Sequence, residues 1–173
     1  MALRRILLLG EKALRDPGVE VEAFDDELRA LGADRLETMY FAEGIGLAAP
    51  QIGVSVRVCV LDLRDEDNPD GGRWVFVNPL IVESSDEEEK ALEGCLSIPE
   101  MEDVVTRSAR VTVRGFDAEG EAIEVEAEGL LARALQHEID HLDGVLFIDR
   151  LSTFKRRALL KKWKRSQQEG AKG

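Results

Sequence analysis

Cysteine and histidine are scarce in this chain, with two of each among 173 residues. Cys59 and Cys95 are too few, and in contexts too different, to frame a disulfide scaffold. No apolar run approaches the ~20 residues that a membrane helix needs. The opening MALRRILLLG joins two arginines to a short apolar stretch, without the cleavage site of a secretory signal. There is no internal repeat and no sign of a second domain. At 44% hydrophobic and 34% charged, the chain is too apolar for disorder and too charged for a membrane protein. Its length fits one domain that buries roughly 70% of its unfolded surface and needs no disulfide or oligomer to fold. A monomeric, cytoplasmic protein of bacterial type, with no membrane partner, is expected.

Basic residues are also few, and they are unevenly placed. The formal charge is −12. Residues 1–150 carry 15 Lys/Arg against 34 Asp/Glu, and residues 151–173 carry 8 against the single Glu169. The body is therefore at −19 and the terminal segment at +7. An acidic body argues against gripping nucleic acid, whereas the basic segment invites it.

Asp25–Glu43 has Leu28, Leu31, Leu36, Met39 and Tyr40 at three-to-five-residue spacing and acids at its start, which predicts a helix. The glycine-rich 44–53 ends it. Val54–Leu63 and residues 74–82 read as strands around the loop 65–73. Residues 83–93 read as an acidic, exposed stretch. Arg110–Phe116 and Ala122–Ala127 alternate about the turn Asp117–Gly120, a hairpin. Leu130–Asp143 is helical and stops at Gly144. Ser152 is a candidate N-cap for a terminal helix, Thr153–Gln168. The order lacks regular β-α alternation, so the expected class is α+β. Mixed or antiparallel sheets would pack around the Leu130–Asp143 helix, with one helix N-terminal and one C-terminal. Residues 1–151 are expected to form the body of the domain, and 152–173 a basic helix and tail of the same domain.

The strongest chemical signal is Gln136-His137-Glu138-Ile139-Asp140-His141. HExxH on a helix places two imidazoles one turn apart, where both can bind one metal ion. At about 100° per residue, His137, His141 and Glu138 share one edge, beside an apolar face formed by Leu131, Leu135, Ile139 and Leu142. Catalytic zinc and related sites commonly take a third protein ligand. A downstream acid or histidine, or an upstream cysteine, could supply it. No later histidine exists, and Asp143, Asp149 and Glu169 sit in no recognisable ligand motif. Cys95 lies in Glu93-Gly94-Cys95-Leu96-Ser97, where Gly94 lets backbone approach closely. Cys59 sits inside an alternating strand and reads as a small buried hydrophobe. Gly44-Ile45-Gly46-Leu47-Ala48-Ala49-Pro50-Gln51 is the third element. Alone it is a tight helix-to-strand connection ending in an amide.

Together, GIGLAAPQ, EGCLS and QHEIDH, in this order and spacing, closely resemble the three signature motifs of the peptide deformylases. The resemblance runs from the first helix to Leu151 and includes GVLFIDRLS at 144–152. It implies a metal-dependent hydrolase that removes the formyl group from the N-terminal formylmethionine of nascent polypeptides and releases formate. By the match, Cys95, His137 and His141 bind one divalent metal, Fe²⁺ foremost, with Zn²⁺, Ni²⁺ or Co²⁺ as alternatives. A thiolate with two imidazoles suits iron, zinc or nickel and excludes magnesium and calcium. Glu138 becomes the general acid/base. The Gln51 amide and the Leu96 backbone N–H stabilise the oxyanion. Ile45, Gly46, Gly94 and Leu130 contact the substrate, whose methionine enters an apolar pocket beside the His137 helix. The basic terminal helix implies docking on the ribosome, and hence co-translational processing. One departure stands out. Glu102 occupies a position where some bacterial members carry arginine, leaving Arg107 or Arg133 to pair with Glu93 or touch substrate. Two rival readings remain: a zincin-like endopeptidase using the same HExxH, and a non-catalytic ribosome-binding relative.

Overall fold

A computed structural model describes residues 2–70 and 72–172. The first helix, α1 (Asp26–Phe41), starts where the Asp25 carboxylate accepts the Leu28 N–H at 3.0 Å, satisfying one of the amides that a helix start leaves free. Then come β1 (Gly46–Ala48), β2 (Val58–Asp62), β3 (Arg73–Ser84), β4 (Glu88–Cys95), β5 (Ile98–Ser108), β6 (Arg110–Phe116) and β7 (Ala122–Glu128). Helices α2 (Gly129–Leu142) and α3 (Thr153–Lys172) close the chain. Five strands pair antiparallel in the order β1-β2-β3-β6-β7, and β4 and β5 form a second antiparallel pair. The fold is α+β with antiparallel sheets.

The predicted hairpin forms as β6–β7, with Val113 opposite Val125, and Asp117 accepts the turn amides of Glu119 and Glu121. Helix α2 packs against β1, β2, β5, β6 and β7. Its apolar face (Ala132, Leu135, Ile139, Leu142) meets Leu61, Phe76 and Val113 in the main core. The α2 helix ends before Gly144, whose φ is +76°. A Cβ there would lie 2.5 Å from the Arg15 carbonyl oxygen, so only glycine fits.

The structure departs from the sequence reading in four places. The strand expected from Val54 begins at Val58, because Val56 is taken by an isolated parallel bridge to Val19. Much of the acidic stretch 83–93 is strand, the outer half of the β4–β5 ribbon. Its inward residues are few, so alternation was masked by charge. Helix α3 runs on to Lys172. Its Leu159 and Trp163 are buried with Ile98, Met101, Val105 and Phe147 in a second core cluster, which ties the basic segment to the body.

The fourth departure is the buried face of α1, which is polar as well as apolar. Asp34, Arg35 and Thr38 are buried there. Asp34 accepts the Ala2 N–H and a fork from Arg4, and the Thr38 hydroxyl accepts the Arg4 N–H, so the N-terminal segment is pinned along the helix. Arg35 is 0% exposed, and its Nε, Nη1 and Nη2 meet no acceptor among the described residues. Burial drags its pKa down to about 10, which still leaves it charged at neutral pH. An uncompensated buried cation costs several kcal/mol. Arg35→Met, similar in length and apolar, is expected to stabilise the protein by ~1–3 kcal/mol. At ~2–4 °C per kcal/mol for a chain of this size, Tm should rise by several degrees. A Tm equal to or below that of the parent would show that the guanidinium has a compensating partner.

Candidate active site and metal centre

One turn of α2 separates His137 from His141 and turns both Nε2 atoms the same way. The two nitrogens stand 3.2 Å apart, and the Cys95 Sγ lies 3.3 Å from His141 Nε2. All three donor atoms lie within 4.8 Å of one another. Cys95 comes from the far end of β4, at the register shift where the β4–β5 ribbon turns through Leu96 and Ser97.

The His137 tautomer follows from its other nitrogen. Nδ1 lies 2.8 Å from Glu93 Oε1, and facing a carboxylate it must donate. That leaves the Nε2 lone pair pointing at His141 and Cys95, the arrangement seen in carboxylate–histidine–metal triads. Converging lone pairs and a thiol sulfur repel or at best tolerate one another, whereas a divalent cation turns all three contacts attractive. The donor set is borderline-soft, suited to iron, zinc, nickel or cobalt. Cys95, His137 and His141 therefore fit one metal ion. They form the one such Cys/His/acid group among the described residues.

Glu93 is held from several sides. Its Oε2 accepts from Arg107 Nε and from Arg133 Nη1, both at 2.6 Å, and its Oε1 accepts from Arg107 Nη2 at 2.9 Å. Arg107 also reaches Asp140 at 2.9 Å, and Asp140 takes a fork from Arg150. Burial alone would raise the Glu93 pKa. Hydrogen bonds from His137 and Arg107 outweigh it and bring the carboxyl down to about 2. Arg107 and Arg133 thus both occupy the place beside Glu93, while Glu102 lies opposite Gly94 on β5, exposed at the rim of the cleft.

Burial disfavours a charged His137, yet hydrogen bonding to Cys95 and Glu93 prevails and raises its affinity for a cation at Nε2, a proton or a metal ion. For His141, burial and then the neighbouring His137 push the pKa well below the usual value. Glu138 is 4% exposed, and its Oε2 meets no donor among the described residues. Burial pushes this carboxyl up to about 7. It leans over Gly46, where an added Cβ would lie 2.6 Å from Glu138 Oε1. Glycine at 46 is what lets the carboxylate reach the cleft.

Gln51 is fixed at both ends. Its Oε1 accepts the Ala48 N–H at 2.9 Å, and its Nε2 donates to Ser97 Oγ at 3.1 Å and to Cys95 Sγ at 3.6 Å. Leu96 sits in the β4–β5 turn with its side chain against Gly44. Ile45, Gly46, Gln51, Gly94, Cys95, Leu96, Leu130, His137 and Glu138 all line one open cleft of about 990 Å³. His141 is sealed beneath it, 1% exposed.

Nine of the ten residues expected at the site thus line this cleft, and the tenth, His141, lies beneath it. The network that joins Arg107, Arg133, Asp140 and Arg150 through Glu93, and the separate Gln51–Ser97 contact, leave no local signal in the sequence. Glu93 had an available signal. On a strand, residues two apart share a face, so Glu93 must point where Cys95 points. That inference needed β4 to be recognised as a strand.

The family model described as polypeptide deformylase matches residues 3–157. The peptide deformylase of Phenylobacterium zucineum is 53% identical over 165 residues, covering 95% of this chain and 97% of the relative. That of Brucella suis is 48% identical, covering 95% and 94%. Among solved structures, the peptide deformylase of Legionella pneumophila superposes with a TM-score of 0.90 at 45% identity over 99% of both chains. The Ehrlichia chaffeensis peptide deformylase in complex with actinonin gives 0.89 at 40% identity over 96% and 98%. The matches span nearly all of the chain, and the family model includes every cleft residue named above: this chain belongs to the polypeptide deformylase family, a family of metal-dependent hydrolases.

Proposed function

We propose that this chain hydrolyses the N-terminal formyl group of formylmethionyl nascent polypeptides, releasing formate, with Cys95, His137 and His141 holding one divalent metal and Glu138 moving the proton. The carrying observation is the convergence of Cys95 Sγ, His137 Nε2 and His141 Nε2 beside the unpaired Glu138 carboxylate. Native iron is the proposed metal, on the family resemblance, and the donor set accommodates zinc, nickel or cobalt equally well in chemical terms. The metal, when bound, supplies Lewis-acid polarisation and makes water acidic enough to deprotonate near neutrality.

The chain's residues do the rest. Glu138 takes the proton of the attacking water and returns it to the leaving α-amine, as a buried carboxyl with a pKa near neutrality can do in both directions. The Gln51 N–H that meets Cys95 Sγ at 3.6 Å makes the weaker of its two contacts. It is the donor free to turn to a developing oxyanion, joined by the Leu96 N–H. Such a donor contributes ~3 kcal/mol to transition-state stabilisation. The β1 strand ends its sheet, so its outer backbone edge at Ile45 and Gly46 can take an extended peptide as one more strand. Gly94 faces it across the cleft. The first side chain then lies along α2 toward Leu130.

Purified protein loaded with Fe²⁺ under anaerobic conditions should release formate from formyl-Met-Ala-Ser. Metal-loaded protein that releases none, or that cleaves casein instead, would overturn the reading.

The remaining proposals concern context. We place residues 1–151 and the basic 152–173 in one domain, supported by the burial of Leu159 and Trp163. The protein works as a cytoplasmic monomer at the ribosome. No helix among the described residues is long and apolar enough to cross a membrane. Helix α3, capped by Ser152 at the Lys155 N–H, shows Arg157, Lys161, Lys162, Lys164 and Arg165 to solvent. Lys155 and Arg156 are engaged with Asp103 and Asp149. Cutting the chain after Leu151 would uncover the second core cluster, so charge is the better handle. Reversing Arg157, Lys161, Lys164 and Arg165 to Glu should leave tripeptide turnover within about twofold. It should also abolish salt-sensitive co-sedimentation with ribosomes. Undiminished co-sedimentation would defeat the ribosome proposal.

A further inference from the structure

We propose that Arg133 lets the first-residue pocket accept a hydrogen-bond-accepting end group, making N-formylmethionine sulfoxide a substrate beside N-formylmethionine. The proposal rests on the deformylase reading above and names a wider substrate class for the same site.

Leu130, Arg133, Ala134 and His137 recur at i, i+3, i+4 and i+7 and all line the cleft, so one face of α2 forms its wall. His137 marks the reacting end. Arg133 and Ala134 lie one turn back and Leu130 two. A methionine side chain is about as long as one helical turn (~5.4 Å). A formyl group held beside His137 and Glu138 therefore brings the end of the first side chain to the level of Arg133.

Arg133 is the one lysine or arginine among the residues lining the cleft. Its guanidinium is pinned: Nη1 donates to Glu93 Oε2 at 2.6 Å and to the Val105 carbonyl at 2.9 Å, and Nη2 donates to the Glu89 carbonyl at 2.8 Å. A guanidinium carries five N–H groups, so two donors remain. One is Nε–H, which meets no acceptor among the described residues and is not sealed from solvent. Pinned donors are worth more than mobile ones, because little entropy is lost when they engage. A thioether sulfur barely uses them. A sulfoxide oxygen, the polar product of methionine oxidation, can accept from the Nε–H. A purely apolar pocket would reject that oxygen, since burying it unpaired is costly. The reaction is unchanged: water adds across the formyl C–N bond, formate leaves, and the amine nitrogen gains the proton.

The test compares kcat/KM of the metal-loaded enzyme for formyl-Met-Ala-Ser and for the same peptide carrying methionine sulfoxide. For the parent protein the two should lie within about tenfold. In Arg133→Met, which keeps length and removes the donors, the sulfoxide-to-methionine ratio should fall by about tenfold or more, and Arg133→Lys should restore part of it. Each ratio is taken within one protein, so any damage to the hold on Glu93 cancels. A second readout needs no variant: the product Met(O)-Ala-Ser should bind the parent at least as tightly as Nle-Ala-Ser in calorimetry. An equal ratio in parent and variant, a sulfoxide peptide turned over more than about a hundredfold worse by the parent, or tenfold weaker product binding would each overturn the Arg133 proposal. Failure to release formate from formyl-Met-Ala-Ser itself would instead overturn the activity on which it rests.

Discussion

Glu138→Gln is expected to lower kcat/KM for formyl-Met-Ala-Ser by about two to four orders of magnitude, with metal content and fold preserved. The variant keeps the size of a side chain that leans over Gly46, so the wall of the cleft does not move. It touches none of the Glu93 contacts, and Glu138 is not among the three donor atoms that converge. What it removes is the ability to take up and return a proton. Of the other acids lining the cleft, Glu43 and Glu100 are exposed, unlike the buried Glu138. The buried Glu93 carboxylate is saturated by His137, Arg107 and Arg133, and the exposed Glu102 lies on the rim. Because burial already raises the carboxyl toward neutrality, replacing it with a neutral amide should leave thermal stability equal or slightly higher. The measurements are formate release, metal per chain by elemental analysis, and Tm on the same preparation. Activity within tenfold of the parent at equal metal content would refute the proton-transfer role.

Much of the site was legible in the sequence because its parts are local. HExxH on a helix with a continuous apolar face determines where two imidazoles and a carboxylate point, and α2 was readable from that alone. The hairpin β6–β7 and the stop at Gly144 were readable for the same reason: turn chemistry and a positive φ leave their mark on neighbouring residues. Less was legible where the determining contact is distant. Strand β4 looks like a solvated acidic run, and only its partner β5 reveals that Glu93 faces inward. Arg133 and Arg107 lie 40 and 14 residues from Glu93, and no period links them. Arg35 shows the converse. It lies seven residues after Leu28, on the same face of α1, yet nothing nearby announces that an arginine would be fully buried with no hydrogen-bond acceptor among the described residues. Buried ion networks are tertiary facts written in residues that, one at a time, look like surface.

Glu93→Gln should be among the most destabilising single changes outside the apolar core, and it should weaken metal binding as well. The carboxylate is 7% exposed and accepts four hydrogen bonds from three residues. An amide of the same shape keeps one oxygen as acceptor. It turns the other end into a donor that confronts Arg107, Arg133 or His137. Two guanidinium groups then stand in the interior with their shared counter-charge removed. Arg107 retains Asp140, whereas Arg133 retains only the Val105 and Glu89 carbonyls. Breaking a buried pair in this way costs ~3–5 kcal/mol, which for a chain of this length lowers Tm by roughly 6–20 °C. His137 loses the acceptor that holds its Nδ1–H, and loss of such a partner typically costs 10- to 100-fold in metal affinity. The two effects can be separated. Adding Arg133→Met to Glu93→Gln removes the stranded cation, and the double variant should recover part of the lost stability but none of the metal affinity. A Glu93→Gln protein with parental Tm and parental affinity in a competitive chelator titration would show that the carboxylate neither anchors the network nor orients His137.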